Sequence, residues 1–207
     1  MTDSITNSIS AVIFDQGNVL DSHKESDCSI AEALGFSFEE FQMYAQPHVR
    51  ALHLGMDELE YLNQILHDAG KNPTATRIFR QIYESKRPFN EQMLSINTRL
   101  RDLGYKTGII SNAEIPLRDL LAEKYTVSPT LFDAVVCSCD VGYAKPDKEI
   151  YSIGCTQLEI KPEQGVFIDD NMKNVDAFEQ LGGKGIHHTE NKKTIQELSD
   201  VLGYQLC

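Results

Sequence analysis

The stretch AVIFDQGNVLD, residues 11–21, joins an apolar run to a single carboxylate at Asp15. The run has the length and the branched and aromatic residues of a buried strand. After Asp15 the chain passes through Gly17 and Asn18, residue types that favour a turn. A carboxylate is a poor core residue, but at the end of a buried strand it is well placed to act as a chemical group. The stretch therefore predicts a strand that delivers Asp15 to a functional site.

Beyond residue 88, short apolar runs alternate with segments of helical period. The predicted strands are GYKTGIIS (104–111), FDAVVCS (132–138), GVFID (165–169) and KGIHH (184–188). The predicted helices between them are NEQMLSINTRLRDL, IPLRDLLAEKY, DKEIYSIGCTQL and MKNVDAFEQLG. This repeated order of strand and helix predicts the α/β class, with a Rossmann-like parallel sheet and helices on both of its faces.

Residues 21–88 break this rhythm, because they contain no convincing strand. Four segments have helical period instead: CSIAEALG, SFEEFQMYAQPHVRAL, MDELEYLNQILHDAG and TATRIFRQIYESK. Pro73 marks a helix boundary, and Pro88 marks the return to the sheet. We therefore predict an α/β core domain formed by residues 1–20 and 89–207, and a small helical cap domain, residues 21–88, inserted after the first strand.

The charge balance limits the possible partners. With 19 Lys and Arg against 31 Asp and Glu, the formal net charge is −12, so nucleic acid and anionic membranes are not expected partners. The N-terminal MTDSITNSIS lacks the features of a secretory signal, and no apolar stretch approaches a membrane-spanning length. Five scattered cysteines suit a reducing compartment, and Cys137 and Cys139 lack partners at zinc spacing. We expect a cytoplasmic protein.

The ends of the predicted strands carry the candidate site. In a parallel sheet, ligands bind at the carboxyl ends of the strands, near the point where the strand order reverses. Six side chains follow the predicted strands: Asp15, Ser111, Asn112, Lys145, Asp169 and Asp170. Three carboxylates at one edge repel one another, and each close pair costs roughly 4 kcal/mol at an effective dielectric constant near 20. Mg²⁺ relieves this repulsion, since it is usually held by one or two carboxylates, waters and substrate phosphate oxygens.

The same residue types can carry phosphoryl transfer. An aspartate can attack phosphorus to form an aspartyl-phosphate, while a metal ion and a lysine neutralise the transferring group. Ser111 and the backbone at Asn112 can hydrogen-bond the equatorial oxygens of that group. The strand ends therefore predict a site for a phosphorylated substrate.

Four segments of the chain also carry a family resemblance. FDQGNV, ISNA, AKPDKEIY and FIDDNMKNVDAF, in this order and spacing, resemble the sequence motifs of the haloacid dehalogenase superfamily, specifically its phosphatase-like branch with a helical cap. The likeness spans nearly the whole chain, and the last motif, followed by LGGKGI, is the most specific. The FDxGNV form resembles a subgroup of sugar-phosphate phosphatases and relatives of the epoxide-hydrolase N-terminal domain.

The resemblance implies the catalytic roles. Asp15 would be the nucleophile, Ser111 the phosphate ligand, and Lys145 the partner of both the phosphate and the nucleophile. Apart from the resemblance, we expect the backbone at Asn112 to bind the substrate, and Asn18 is one group that could assist there in place of a missing acid. The implied function is Mg²⁺-dependent hydrolysis of a small phosphomonoester through an aspartyl-phosphate.

The resemblance also implies the metal ligands. Asp15, Asp169 and Asp170 would hold Mg²⁺ together with the backbone carbonyl of Gly17. Asn174 would brace the loop after Asp170.

Gly17 is where the chain departs from the family pattern. Most phosphatases of the superfamily carry a second Asp at this position, two residues after the nucleophile, which protonates the leaving group and then activates water. Loss of a general acid and base typically costs roughly 10²- to 10⁴-fold in rate, and the loss falls hardest on alkyl phosphates. We therefore expect a small phosphorylated metabolite with a good leaving group, such as an anomeric sugar phosphate.

Two other functions stay open. A 2-haloacid dehalogenase also lacks the second Asp, but its members do not need the metal ion that Asp169 and Asp170 fit. A non-catalytic phosphate-binding or regulatory protein would result if loss of the acid had silenced the site. The sequence does not distinguish a monomer from a homodimer.

Overall fold

The computed structural model describes residues 9–125 and 131–206. Within these residues, five parallel strands form one sheet in the order β3-β2-β1-β4-β5. The strands are β1 (Ala11–Phe14), β2 (Lys106–Ser111), β3 (Ala134–Cys137), β4 (Gly165–Asp169) and β5 (Lys184–His187). Each of them lies within a predicted stretch, so the predicted parallel sheet is confirmed.

Helices precede, follow and connect the strands. They are α1 (Lys24–Ala33), α2 (Phe38–Ala45), α3 (Val49–His53), α4 (Glu58–Asp68), α5 (Phe79–Lys86), α6 (Glu91–Asp102), α7 (Ile115–Tyr125), α8 (Ser138–Val141), α9 (Lys148–Gln157), α10 (Met172–Glu179) and α11 (Asn191–Leu202). The short helix α8 and the terminal helix α11 are not among the predicted helices.

The side chains of β1 show how both faces of the sheet are covered. Val12 and Phe14 point to the face covered by α6 and α11, where they join a core cluster with Met93, Leu100, Ile195 and Leu198. Ala11 and Ile13 point to the opposite face, where α9 and α10 contribute Ile150, Tyr151 and Phe178. Burial of each large apolar side chain contributes about 1.5–3 kcal/mol. The Rossmann-like arrangement with helices on both faces is confirmed.

Helices α1 to α5 lie in the segment between β1 and the next strand of the sheet. The single helix predicted over residues 37–52 is wrong, because α2 ends at Ala45 and α3 begins at Val49. Pro47 lies in the gap, and proline both lacks an amide donor and disfavours the helical conformation at the residue before it. The division into a core domain and a cap domain at residues 21 and 88 stays a prediction.

Helix α5 also begins later than the sequence predicts. The period favours a helix from residue 74, whereas the structure begins it at Phe79. Oε1 of the buried Glu58 accepts hydrogen bonds from the amides of Ile78 and Phe79 at 2.6 and 2.9 Å. A carboxylate from α4 thus satisfies amides at the start of α5, where helices have no internal partner for their first donors.

The two connections between the inserted helices and the sheet lie side by side. Asp21 forms isolated β-bridges with Gly17 and with Phe89. Its buried carboxylate accepts from Nε and Nη2 of Arg87 at 3.0 and 2.9 Å. A two-point Arg–carboxylate contact fixes both distance and orientation. This pair therefore fixes the entry and exit of the insertion next to the loop after Asp15.

Some sequence expectations fall on residues that the structure does not describe. The outer limits of the predicted core at residues 1 and 207, most of the N-terminal MTDSITNSIS, and Cys207 lie outside the described residues. Cys137 and Cys139 are free, and they belong to no cluster of potential metal ligands in the described parts of the chain. No helix in these parts is long and apolar enough to cross a membrane.

Candidate active site

Asp15, Asp169 and Asp170 meet at the point where the strand order reverses. Strands β1 and β4 are neighbours, and their register pairs Phe14 with Ile168. The amide of Asp15 donates to the carbonyl of Ile168 at 2.8 Å, so the nucleophile candidate leaves β1 beside the end of β4. This edge is where open α/β sheets bind ligands.

Lys145 joins two of these acids. Its Nζ lies 2.6 Å from Oδ1 of Asp15 and 2.7 Å from Oδ2 of Asp169, and the side chain is buried. Asn112 holds the lysine loop, because its Nδ2 donates to the carbonyl of Lys145 at 3.0 Å and its Oδ1 accepts from the amide of Lys145 at 2.7 Å. The Asn112 side chain is therefore engaged with the protein backbone, which leaves its own backbone as the part that can serve a substrate.

The remaining contacts orient Asp169 and Asp170. Asp169 accepts from the amide of Asn171 at 2.8 Å and from Nδ2 of Asn174 at 3.1 Å to each oxygen. Asn174 thus braces Asp169 itself. Oδ2 of Asp170 accepts from Nδ2 of Asn18 at 2.7 Å. Asn18 has a φ of 58°, a left-handed conformation that asparagine tolerates better than most residues.

The charges of the site are unevenly balanced. The pKa of Asp15 is raised to about 7; burial is the largest cause, Lys145 opposes it, and the charges of Asp169 and Asp170 add to the rise. Burial disfavours the charge on Lys145, but the two carboxylates that it contacts outweigh this effect and raise its pKa. The lysine therefore stays charged, and one ammonium group faces three acids.

This charge excess fits a hard divalent cation. Asp15, Asp169 and Asp170 each offer an oxygen, and these three atoms lie within 4.8 Å of one another. Carboxylate oxygens at this spacing are ligands that Mg²⁺ accepts, and a cation removes the repulsion that raises the pKa of Asp15. The three acids could therefore hold Mg²⁺.

A cavity of about 410 Å³ opens from these acids. Its strand-end part is lined by Asp15, Gly17, Ser111, Asn112, Lys145 and Asp170. Its helical part is lined mainly by side chains of the inserted helices, among them Ile30, Phe41, Ala45, Val49, Leu52, Tyr61, Phe79 and Tyr83. The structure thus brings together all the residues that the sequence assigns to the site, with Asn18 bonded to Asp170 beside them.

His23 fills the space next to Gly17. A Cβ atom at position 17 would lie 3.1 Å from Nδ1 of His23. Nε2 of the same ring is 3.5 Å from Nδ2 of Asn18 and 3.8 Å from Oδ2 of Asp27. The imidazole therefore stands beside the position where the family pattern has a carboxyl group, and imidazole is a side chain that often serves as a general acid or base in enzymes.

Four polar residues of the helical part are absent from the sequence-based site. His23, Asp27, His53 and Glu114 all line the cavity. Asp27 and Glu114 come just before predicted helices and His53 just after one, where polar residues are usually solvated. Only the fold shows that these positions face the same cavity as Asp15.

The comparison with known proteins assigns the family. The sequence model of the haloacid dehalogenase-like hydrolases matches residues 9–182, and the chain belongs to this family. The chain is 30% identical to bifunctional epoxide hydrolase 2 of Rattus norvegicus over 138 residues, which are 65% of this chain but 25% of that protein. It is 30% identical to a sesquiterpene phosphatase of Aspergillus oryzae over 125 residues, 60% of this chain and 63% of that protein. The matches thus span less than two thirds of either relative.

The match to a third relative covers most of both proteins. The phosphorylated carbohydrates phosphatase of Thermotoga maritima is 26% identical over 192 residues, with 86% of this chain and 83% of that protein covered.

Solved structures show the same fold at low identity. An alanine mutant of a Bacteroides thetaiotaomicron enzyme of this family, in complex with magnesium and inorganic phosphate, matches with a TM-score of 0.68 and 19% identity, covering 89% of this chain and 97% of the other. An L-2-haloacid dehalogenase of Xanthobacter autotrophicus also reaches a TM-score of 0.68, at 17% identity and with 93% and 82% covered. The fold alone therefore does not separate a phosphatase from a dehalogenase.

Proposed function

We propose that this protein is a Mg²⁺-dependent phosphatase that hydrolyses a small phosphomonoester through an aspartyl-phosphate on Asp15. The observation that carries the proposal is the buried Lys145, which contacts both Asp15 and Asp169 within a cluster that also includes Asp170. Three acids and a lysine suit a phosphate group and a metal ion better than a neutral carbon centre. Relatives named as phosphatases and a structural neighbour crystallised with magnesium and phosphate support the same proposal.

Asp15 provides the nucleophile. One of its carboxylate oxygens forms a bond to phosphorus as the bond from phosphorus to the leaving oxygen breaks. Lys145 orients Asp15 through the 2.6 Å contact and keeps a positive charge beside the transferring group. Ser111 and the Asn112 backbone hydrogen-bond the phosphate oxygens. Water then cleaves the aspartyl-phosphate, which releases phosphate and restores Asp15.

Mg²⁺, held by Asp15, Asp169 and Asp170 together with the Gly17 carbonyl, would neutralise negative charge on the phosphate oxygens during this transfer. Asn174 and the amide of Asn171 keep Asp169 oriented, and Asn18 keeps Asp170 oriented. These contacts hold the acids in place before a substrate arrives, so little reorganisation is needed during the reaction.

His23 is the group that we propose for proton transfer to the leaving oxygen. No carboxyl group is present at position 17, and the imidazole lies beside that residue on the cavity wall. The expected preference for good leaving groups follows if His23 replaces the missing acid only partly.

Phosphate release from p-nitrophenyl phosphate and a panel of sugar phosphates tests the proposal, with and without Mg²⁺. We expect metal-dependent turnover by the wild type and its loss in Asp15→Asn. Asp102→Asn, the same change at an exposed position, serves as the control. Release of halide from a 2-haloacid without phosphatase activity would favour a dehalogenase, and the absence of any turnover above Asp15→Asn would favour a binding protein.

A further inference from the structure

Glu114 is a buried carboxylate in the helical part of the cavity. It directly precedes α7, is only 4% exposed, and lines the cavity. Its Oε1 has no hydrogen-bond partner among the described residues. Burial of a carboxylate oxygen without a donor is costly, so natural sites rarely keep one unless something else supplies the donor.

No ion pair among the described residues includes Glu114, although the charge of Arg87 acts on it at longer range. Arg87 lies on the same cavity wall, but its Nε and Nη2 donate to Asp21. Burial lowers the pKa of His53, so this neighbour is largely neutral at pH 7. Tyr83 is hydrogen-bonded to Glu114, and its strongly raised pKa keeps its phenol protonated. Glu114 thus accepts a hydrogen bond from one neutral donor, the Tyr83 hydroxyl, and its carboxylate can accept at least one more.

The surroundings of Glu114 combine a few polar groups, among them Asp27 and Tyr61, with many apolar side chains. Leu117, one turn further along α7, lines the cavity with the aromatic and aliphatic side chains of the helical part. Ser111 and Glu114 are three residues apart, so their Cα atoms lie within about 11 Å of each other. A group bound to Glu114 is therefore close to the phosphate position, within reach of a small alcohol.

We propose that Glu114 accepts a hydrogen bond from the leaving group of the substrate. The substrate class is a small phosphomonoester whose alcohol carries a hydroxyl or ammonium donor on a largely apolar skeleton. This inference rests on the proposed phosphatase function, since it assigns the leaving group to the helical part of the cavity. A site with a buried acceptor selects strongly for ligands that supply the donor, because other ligands leave the acceptor unpaired.

Matched substrates test this selection. Straight-chain alkyl phosphates of increasing length are compared in three versions, ending in a methyl, a hydroxyl or an ammonium group. For the wild type we expect kcat/KM to be roughly 10- to 100-fold higher for a donor-ended chain of suitable length than for the methyl-ended chain. The hydroxyl and ammonium versions show which donor is preferred.

The variants Glu114→Gln and Glu114→Leu then test the residue. We expect Glu114→Leu to abolish the preference for a donor while it retains turnover of the methyl-ended chain, and Glu114→Gln to retain part of the preference for the hydroxyl but none for the ammonium. Asp119→Asn, an exposed charge change on the same helix, should leave the ratios unchanged. A donor preference that is absent in the wild type, or unchanged in Glu114→Leu, would overturn the inference.

Binding keeps this test separate from the proposed function. Calorimetric titration of the same phosphates into Asp15→Asn with Mg²⁺ present measures the donor preference as a ratio of Kd values, whether or not turnover occurs. A purely structural role at the start of α7 would lower the unfolding midpoint of Glu114→Gln but leave this ratio unchanged. That result would also overturn the inference, whereas a lack of turnover with an intact binding ratio would overturn only the phosphatase proposal.

Discussion

The strand-end part and the helical part of the cavity are lined by different kinds of side chain. At the strand ends, three carboxylates and one ammonium group lie on a rigid sheet edge, and hydrogen bonds orient Asp169 and Asp170. In the helical part, aromatic and aliphatic side chains surround a few polar groups such as Glu114. Changes at the strand ends should therefore alter rate and metal binding, whereas changes in the helical part, apart from His23, should alter which substrate is accepted.

Removal of Lys145 should have the largest effect. Lys145→Met leaves Asp15 and Asp169 unpaired in a buried site, which typically costs about 3–5 kcal/mol in the free energy of unfolding. Turnover should fall by roughly 10²- to 10³-fold or more, because a positive charge beside the transferring group is lost. Urea unfolding and phosphate release measure the two effects. Lys106→Met is the control, since Lys106 pairs with the exposed Glu159 and should cost at most about 1 kcal/mol.

Mg²⁺ should stabilise the fold in a pH-dependent way. The pKa of Asp15 is raised from 3.8 to about 7, so this carboxyl favours the folded state fully below pH 3.8, and that contribution is lost as the pH rises through about 7. A bound cation would then stabilise the ionised Asp15 carboxylate, in place of the stability that the protonated carboxyl gave at lower pH. Saturating Mg²⁺, at 100 times its Kd, adds about 2.7 kcal/mol.

Thermal unfolding with and without Mg²⁺, across this pH range, checks the prediction. The shift in the midpoint should be larger above neutral pH than near pH 5, and it should disappear in Asp169→Asn. An equal shift at every pH would show that the metal does not bind at Asp15.

Substitution of His23 should separate substrates by leaving group. In His23→Ala we expect kcat to fall by roughly 10- to 100-fold on an alkyl phosphate and much less on p-nitrophenyl phosphate, whose leaving group needs no proton. His67→Ala provides the control because His67 is 88% exposed on α4. Equal losses on both substrates would remove His23 from proton transfer.

Tyr83→Phe should have the smallest effect. It removes the hydroxyl that is hydrogen-bonded to Glu114, and loss of such a bond costs about 0.5–1.5 kcal/mol in the free energy of unfolding. Because Glu114 then has more capacity for an external donor, the donor preference should rise while the rate on p-nitrophenyl phosphate stays within about twofold. A fall in the donor preference would mean that Tyr83 itself contacts the substrate. Tyr204→Phe, at an exposed position, is the control.

The strand-end part could be predicted from the sequence because its residues follow buried apolar runs. The runs before Asp15 and Asp169 are buried on both faces of the sheet, so their pattern marks strands, and parallel strands end at one edge. The start of α5 could not be predicted, since it depends on Glu58 from another helix.

The helical part could not be predicted for a related reason. Glu114 has the sequence pattern of an ordinary acid before a helix, and Tyr83, with which it interacts in the cavity, lies 31 residues earlier. His23 lies near Gly17 only because the chain folds back after Asn18. Side chains that face a cavity from separately packed helices leave no local pattern, whereas strand ends do.

Trapping of the covalent intermediate tests the central claim most directly. The protein is mixed with Mg²⁺ and p-nitrophenyl phosphate, quenched during turnover, and treated with borohydride, which reduces an acyl phosphate to an alcohol. Peptide mass spectrometry should then find homoserine at position 15 in the wild type, only when substrate and Mg²⁺ are both present. Turnover with an unmodified Asp15, or reduction at Asp169 or Asp170 instead, would contradict the assignment of Asp15 as the nucleophile.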